Sequence, residues 1–143
     1  MNTLSLKIFY IISLIGISIG IIIGILTIYW LIYPYKTMDF QDEVAKLNTN
    51  EVKRGEYITY TLNYCKYINK DALITRKFID GIEYTVTDGY SDLDVGCGTR
   101  EVQVYVPRGL YPGDYRIKQN NHYQLNPIRE VDVFIYTEWF KVI

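Results

Sequence analysis

One histidine, two cysteines and four serines are spread over 143 residues, and three of the serines fall within the first twenty positions. That scarcity removes most catalytic chemistry. Two cysteines and His122 cannot assemble a four-ligand zinc centre of the usual kind. No C-x-x-C redox pair is present, nor is there a P-loop or dinucleotide fingerprint. Ser91 and His122 with an aspartate would be the only route to a hydrolase, and no G-x-S-x-G elbow supports it. The acidic stretch "TDGYSDLDVG" carries Asp88, Asp92 and Asp94, but it misses the spacing of a calcium loop and reads as solvated turn residues. No cofactor, metal or small-molecule substrate is expected. Lipidation signals are missing too: the chain begins MNTL and neither cysteine is terminal. No basic block appears either. From Lys36 onward there are 14 Lys and Arg against 16 Asp and Glu, a net charge of 14 − 16 = −2. That argues against a nucleic-acid footprint and against electrostatic capture of anionic lipid.

The most telling absence is charge between Ile8 and Tyr35. A bilayer core needs roughly 20 apolar residues in helical form, and a helix satisfies its own backbone groups in lipid. Residues 8–33 therefore read as a transmembrane helix behind a short tail, residues 1–7. A cleaved signal peptide would have a shorter apolar run and a small-residue cleavage site. This run ends instead in "TIYWLIYPYK". Tyr29, Trp30, Tyr33 and Tyr35 read as an interfacial aromatic belt in contact with membrane lipids, and Pro34 ends the helix.

Within that segment Gly16, Gly20 and Gly24 are spaced four apart, and Ser13 and Thr27 extend the stripe. Residues four apart share a helix face. Small residues let two helix backbones approach closely in lipid, where packing drives association. The stripe reads as a contact with another transmembrane helix, from a second copy or from a subunit of a membrane complex.

Residues 34–54 form a polar linker. Phe40, Val44 and Leu47 at i, i+4 and i+7 predict a short helix or a spacer there. From residue 55 to 143 the text changes. "YITYTLNYC" alternates strictly, with Ile58, Tyr60, Leu62 and Tyr64 on one face. "ALITRKFI" and "IEYTVT" follow, joined at Asp80-Gly81. "REVQVYVP" turns Val102, Val104 and Val106 inward. "GDYRIKQ" follows the Pro112-Gly113 turn. "REVDVFIYTEWFKVI" is long enough to need a bulge or bend. About seven strands with short turn-rich links predict an all-β sandwich.

"LYPGDYRI", Leu110 to Ile117, resembles the approach to the penultimate strand of immunoglobulin-like and fibronectin type III-like domains. The resemblance implies that Tyr115 folds its hydroxyl back onto preceding backbone and that Leu110 plugs the core. It concerns fold, since that sandwich serves many unrelated tasks. The chain departs from antibody domains in having no tryptophan between Cys65 and Cys97; Trp139 lies in the last strand instead. The even cysteine count predicts a Cys65–Cys97 disulfide. Cys97 in "DVGCGT" sits between glycines, which predicts a loop tied to the end of a strand. A disulfide places the C-terminal domain in an oxidising compartment, with the N-terminus on the cytoplasmic or interior side. Lys/Arg counting leans the other way, with Lys7 before the helix and Lys36 and Lys46 after it.

Eleven of the fifteen tyrosines lie from Tyr57 onward. Tyr90, Tyr111 and Tyr123 fall in expected loops, where they suit an interface; the abundance of Ile, Asn, Lys and Tyr equally fits an AT-rich gene. Two functions remain. The first is a non-enzymatic structural or accessory subunit of a membrane-associated assembly, either a membrane complex or a virion or phage membrane. The second is a membrane-anchored adhesion or receptor-like module.

Overall fold

A computed structural model describes residues 3–33 and 36–143, with side chains at all of these except 3–6, 87 and 88. The chain divides into two compact units, Met1–Tyr35 and Lys36–Ile143. The first is one helix, α1 (Thr3–Ile32), of which Lys7–Ile32 is long and apolar enough to cross a membrane. Its 26 residues rise about 39 Å, more than the ~30 Å hydrocarbon thickness. Two hydroxyls on it turn back on their own backbone: Ser18 Oγ donates to Leu14 O at 2.9 Å and Thr27 Oγ1 to Ile23 O at 2.8 Å. Such bonds keep a hydroxyl satisfied where no water is available. The helix starts five residues earlier than residue 8, because Thr3 to Lys7 contain nothing that stops it.

The second unit is all β. Its strands are β1 (Met38–Phe40), β2 (Val44–Leu47), β3 (Glu51–Val52), β4 (Tyr57–Lys66), β5 (Leu73–Ile79), β6 (Glu83–Tyr90), β7 (Gly96–Tyr105), β8 (Gly113–Asn126), β9 (Arg129–Thr137) and β10 (Phe140–Val142). The linker expectation is corrected here: residues 38–52 hold three short strands and no helix, so the domain begins well before residue 55. Spacing of Phe40, Val44 and Leu47 favoured a helix, but the free edges of longer strands recruit this segment. Met38, Ala45 and Val52 are buried by it. The last stretch, long enough to need a bulge or bend, breaks between β9 and β10.

Pairing is antiparallel for β1, β2 and β7 against β4, and for β6–β5–β8–β9 in that order. β10 continues along the β9 side of β8 and carries β3 in parallel. β2 belongs to both groups: Lys46 and Leu47 pair with β4, while Val44 and Ala45 run parallel to Tyr136 and Thr137 of β9. The main core takes Ile58, Tyr60 and Leu62 from β4, Val104 from β7, Phe78 from β5, Tyr115 and Ile117 from β8, Ile135 from β9, and Phe140 and Val142 from β10. Each such side chain contributes about 1.5–3 kcal/mol by leaving water.

A polar chain crosses this interior. Tyr60 OH donates to Gln119 Oε1 at 2.5 Å, and Arg76 Nε donates to both, at 3.1 Å and 3.0 Å. Gln119 Nε2 donates to Asn121 Oδ1 at 3.0 Å, Asn121 Nδ2 reaches Met38 Sδ at 3.3 Å, and Tyr123 OH reaches the same sulfur at 3.2 Å. Buried polar atoms are tolerable because they are partnered. Burial pushes the Tyr60 phenol up to about 12, against the opposing charge of Arg76. Buried Lys66 likewise spends its ammonium on Leu93 O at 2.6 Å, with Asp71 Oδ1 at 4.0 Å.

Candidate functional site

β8 runs fourteen residues with a period of two. Tyr115, Ile117, Gln119, Asn121, Tyr123 and Leu125 face the interior and are buried. Arg116, Lys118, Asn120 and His122 therefore stand on the opposite, outer face. The ladder fixes their neighbours: Lys118 lies opposite Tyr136, Asn120 opposite Phe134 and His122 opposite Asp132 on β9. On the β5 side Lys77 lies opposite Lys118, and Thr75 opposite Asn120.

The aromatic and cationic side chains interleave. Arg116 Cζ sits 4.4 Å from the Tyr136 ring centroid and 5.1 Å from that of Trp139. Lys118 Nζ sits 5.5 Å from Phe134 and 6.0 Å from Tyr136. The Phe134 and Tyr136 rings meet edge to face at 6.0 Å. Cations within about 6 Å of a ring face are attracted by its quadrupole. Phe134 is nevertheless 57% exposed and Trp139 54% exposed. Exposed large rings beside an arginine are residue types enriched at protein interfaces, whereas lysine is depleted there.

Beside the rings lies a depression of ≈ 410 Å³ lined by Thr75, Lys77, Lys118, Asn120, Asp132 and Phe134. Asp132 Oδ1 accepts from Asn120 Nδ2 at 2.8 Å and from His122 Nδ1 at 3.0 Å. The Asn120 hydrogen bond first, then His122 and the charge of Lys118, hold the Asp132 carboxyl below the usual carboxylate range. Lys77 is paired with Glu83 at 2.7 Å, and that bond lowers the Glu83 carboxyl. Lys118 has no carboxylate within 4.0 Å among the described residues.

The residues singled out by sequence are dispersed. Gly16, Gly20 and Gly24 lie on α1, where a Cβ at any of them meets nothing within 4 Å. Ser13 and Thr27 sit on the same helix. Tyr29 and Tyr33 stack at 5.3 Å, Trp30 is exposed beside them, and Tyr35 lies outside the described residues. Tyr115 OH donates to Tyr111 O at 3.0 Å, and Leu110 is buried in the main core. Tyr90 and Tyr111 are exposed, but Tyr123 is buried within β8 and is removed from the interface set. Its loop reading failed because the inward residues Gln119 and Asn121 hide the alternation of that strand. Asp92 pairs with Arg100 at 2.6 Å, and the side chain of Asp88 lies outside the description. Ser91 is buried with its Oγ accepting from Leu93 N at 3.3 Å, while His122 lies in the outer row with Leu73 and Tyr90.

The disulfide joins Cys65 to Cys97 with Cα atoms 3.9 Å apart. Cys97 is not in a loop, as its glycine neighbours suggested. β7 begins at Gly96, and Cys97 is the direct ladder partner of Cys65. The bond clamps two neighbouring strands at one end of their shared ladder.

Sequence reasoning missed Arg116, Lys118, Phe134, Tyr136 and Trp139 as a group. The signal was present in "EVDVFIYTEW", where the polar face of the alternation carries rings, but only the β8–β9 register sets Arg116 and Lys118 beside them.

The observed class is a single apolar helix, a candidate membrane span, followed by a multi-strand all-β domain. No known protein family and no curated protein matches the chain. Solved structures with partial likeness include the sporulation control protein Spo0M of Bacillus subtilis, at 14% identity and TM-score 0.41 over 75% of this chain and 49% of that one. A Listeria innocua β-glucosidase follows, at 11%, 0.42, 71% and 16%. The Pseudomonas fluorescens alkylpurine DNA glycosylase AlkC gives 10%, 0.36, 76% and 31%. This chain spans less than half of each, and likenesses so distant carry no function across.

Proposed function

We propose that this chain is a non-enzymatic, single-pass membrane protein whose immunoglobulin-like β-sandwich stands on the extracytoplasmic or exterior side and binds a partner through the outer face of β5, β8 and β9. The observation that carries the reading is the row of exposed Phe134, half-buried Tyr136 and exposed Trp139 interleaved with Arg116 and Lys118. Rings and guanidinium groups of this kind dominate binding hot spots. The sandwich reading is supported by the two strand groups that share β2 and by the Tyr115 hydroxyl folded back on Tyr111. The exterior placement rests on the disulfide, which persists in oxidising compartments. Catalysis by Ser91 and His122 is disfavoured by the burial of one hydroxyl and the outer-face position of the other side chain.

A second reading keeps the chain as an accessory subunit of a membrane complex or virion membrane. The Gly16/Gly20/Gly24 stripe favours it, since that helix face suits another transmembrane helix. The deciding experiment places a photo-crosslinking amino acid at Phe134, and separately at Thr61 on the β4 strand, in native membranes. Crosslinked products specific to position 134 support the outer-face reading. Equal or absent products at both positions refute it.

A further inference from the structure

We propose that the depression between β5, β8 and β9 binds an acidic sugar residue, a pyranose bearing a carboxylate. This rests on the reading of that face as a binding surface and names its ligand class. Lys77 and Lys118 are direct ladder partners, and like charges in such positions repel. Glu83 neutralises Lys77 from one side. Lys118 feels Asp132 and Glu83 only from beyond 4.0 Å, and its close neighbours are the Phe134 and Tyr136 rings, so an anion placed between the two ammonium groups supplies the close counter-charge that Lys118 lacks.

The remaining lining asks for hydroxyl donors. Asp132 is held ionised and can only accept. Asn120 is locked by donating Nδ2 to Asp132, and its Oδ1 is buried with no donor among the described residues. Adjacent hydroxyls of a sugar supply donors to the Asp132 carboxylate, and Thr75 adds a group of either sense. Phe134 supplies the flat apolar wall against which the C–H face of a pyranose packs. A depression of ≈ 410 Å³ lies in the range of small-ligand sites, about 300–1,000 Å³.

Other occupants fit less well. The floor is built from β5 and β8, each paired along both edges. Its backbone is used up, so a peptide cannot add there as a strand. A neutral sugar leaves Lys118 without a close counter-charge. A nucleic acid would need more positive charge than a domain of net −2 provides.

The test uses full-length protein in nanodiscs, titrated with trigalacturonate and with 3′-sialyllactose. Each is compared with its carboxyl-free counterpart, carboxyl-reduced trigalacturonate and lactose. At least one acidic form binds tenfold or more tightly than its counterpart. Lys118→Gln lowers that affinity about tenfold, Phe134→Ala weakens both forms, and Thr61→Ala changes neither. Where Lys118→Gln alters the melting profile, Lys77→Gln replaces it, and unchanged affinity there overturns the proposal. So does equal binding of acidic and neutral forms, or no saturation by about 10 mM. Equally tight binding of a tri-glutamate peptide overturns it as well. Loss of saccharide binding with position-134 crosslinks retained removes the ligand class alone; loss of both removes the binding face.

Discussion

Removing the disulfide gives a prediction whose size can be worked out. Cys65 and Cys97 are 32 residues apart. In the chain-entropy account, closing a loop of that length disfavours the unfolded chain by about 3.7 kcal/mol at 25 °C. A domain near 100 residues loses roughly 4 °C of Tm per kcal/mol, so the double change Cys65→Ala with Cys97→Ala should lower Tm by about 15 °C. Cys65→Ala also removes the Gln41 Nε2 contact to Sγ at 3.1 Å, which adds a little to the loss. The loss should begin locally. β7 opens with Gly96, Cys97 and Gly98, and its first six residues are exposed. Among the described residues it pairs with β4 alone, and its buried anchors, Val104 in the strand and Val106 just after it, lie at the far end. Without the clamp, amides of residues 96–99 should exchange first while those of 102–106 stay protected. The assay is a near-ultraviolet melt of residues 36–143 with amide exchange read by mass spectrometry. A drop below about 4 °C, roughly 1 kcal/mol, would refute the loop-closure argument. Uniform loss of protection along β7 would refute the local one.

Tyr115→Phe deletes the donor to Tyr111 O and should destabilise the domain by about 1–2 kcal/mol in denaturant melts, with the fold unchanged by circular dichroism. Burial, first among causes, raises the phenols of Tyr60, Tyr115 and Tyr123 to about 12. Their unfolded value is near 10, so this contribution is complete below pH 10 and is lost as pH rises towards 12. Absorbance at 295 nm should then show phenolate appearing together with unfolding; ionisation of all tyrosines near pH 10 in the folded state would contradict it. Gly20→Ile should weaken association between transmembrane helices in native membranes, read by crosslinking; equal association in both proteins would mean the stripe faces lipid.

How far the chain was legible depended on whether a local pattern and its tertiary setting agreed. α1 was plain because a long uncharged run has one solution in lipid. β4 and β7 were plain because Ile58, Tyr60 and Leu62, and Val102 and Val104, alternate with polar partners. β8 was half legible. Its inward Gln119 and Asn121 look like surface residues until Tyr60, Arg76 and Met38 are seen to partner them. β1, β2 and β3 were illegible, since strands of two to four residues carry no periodicity and exist only as additions to β4, β9 and β10. Cys97 was misplaced because flanking glycines signal a turn by composition, whereas the pairing with β4 is long-range. The aromatic–cation face shared that fate: each residue is ordinary alone, and the register makes the group.

The double membership of β2 has a mechanical consequence. The chain enters the β unit at residue 36, and β2 lies parallel to β9, the strand that carries Phe134 and Tyr136. A pull along β2 against β9 would slide the two strands lengthwise. Their ladder contacts, together with Glu138 N to Ala45 O at 3.1 Å and Leu47 N to Glu138 Oε2 at 3.1 Å, lie across that direction. They would bear load side by side and break together, where a strand peeled from its end gives way one bond at a time. The segment that reads in sequence as a mere spacer is thus a tie between the two strand groups, one that gives way by shear.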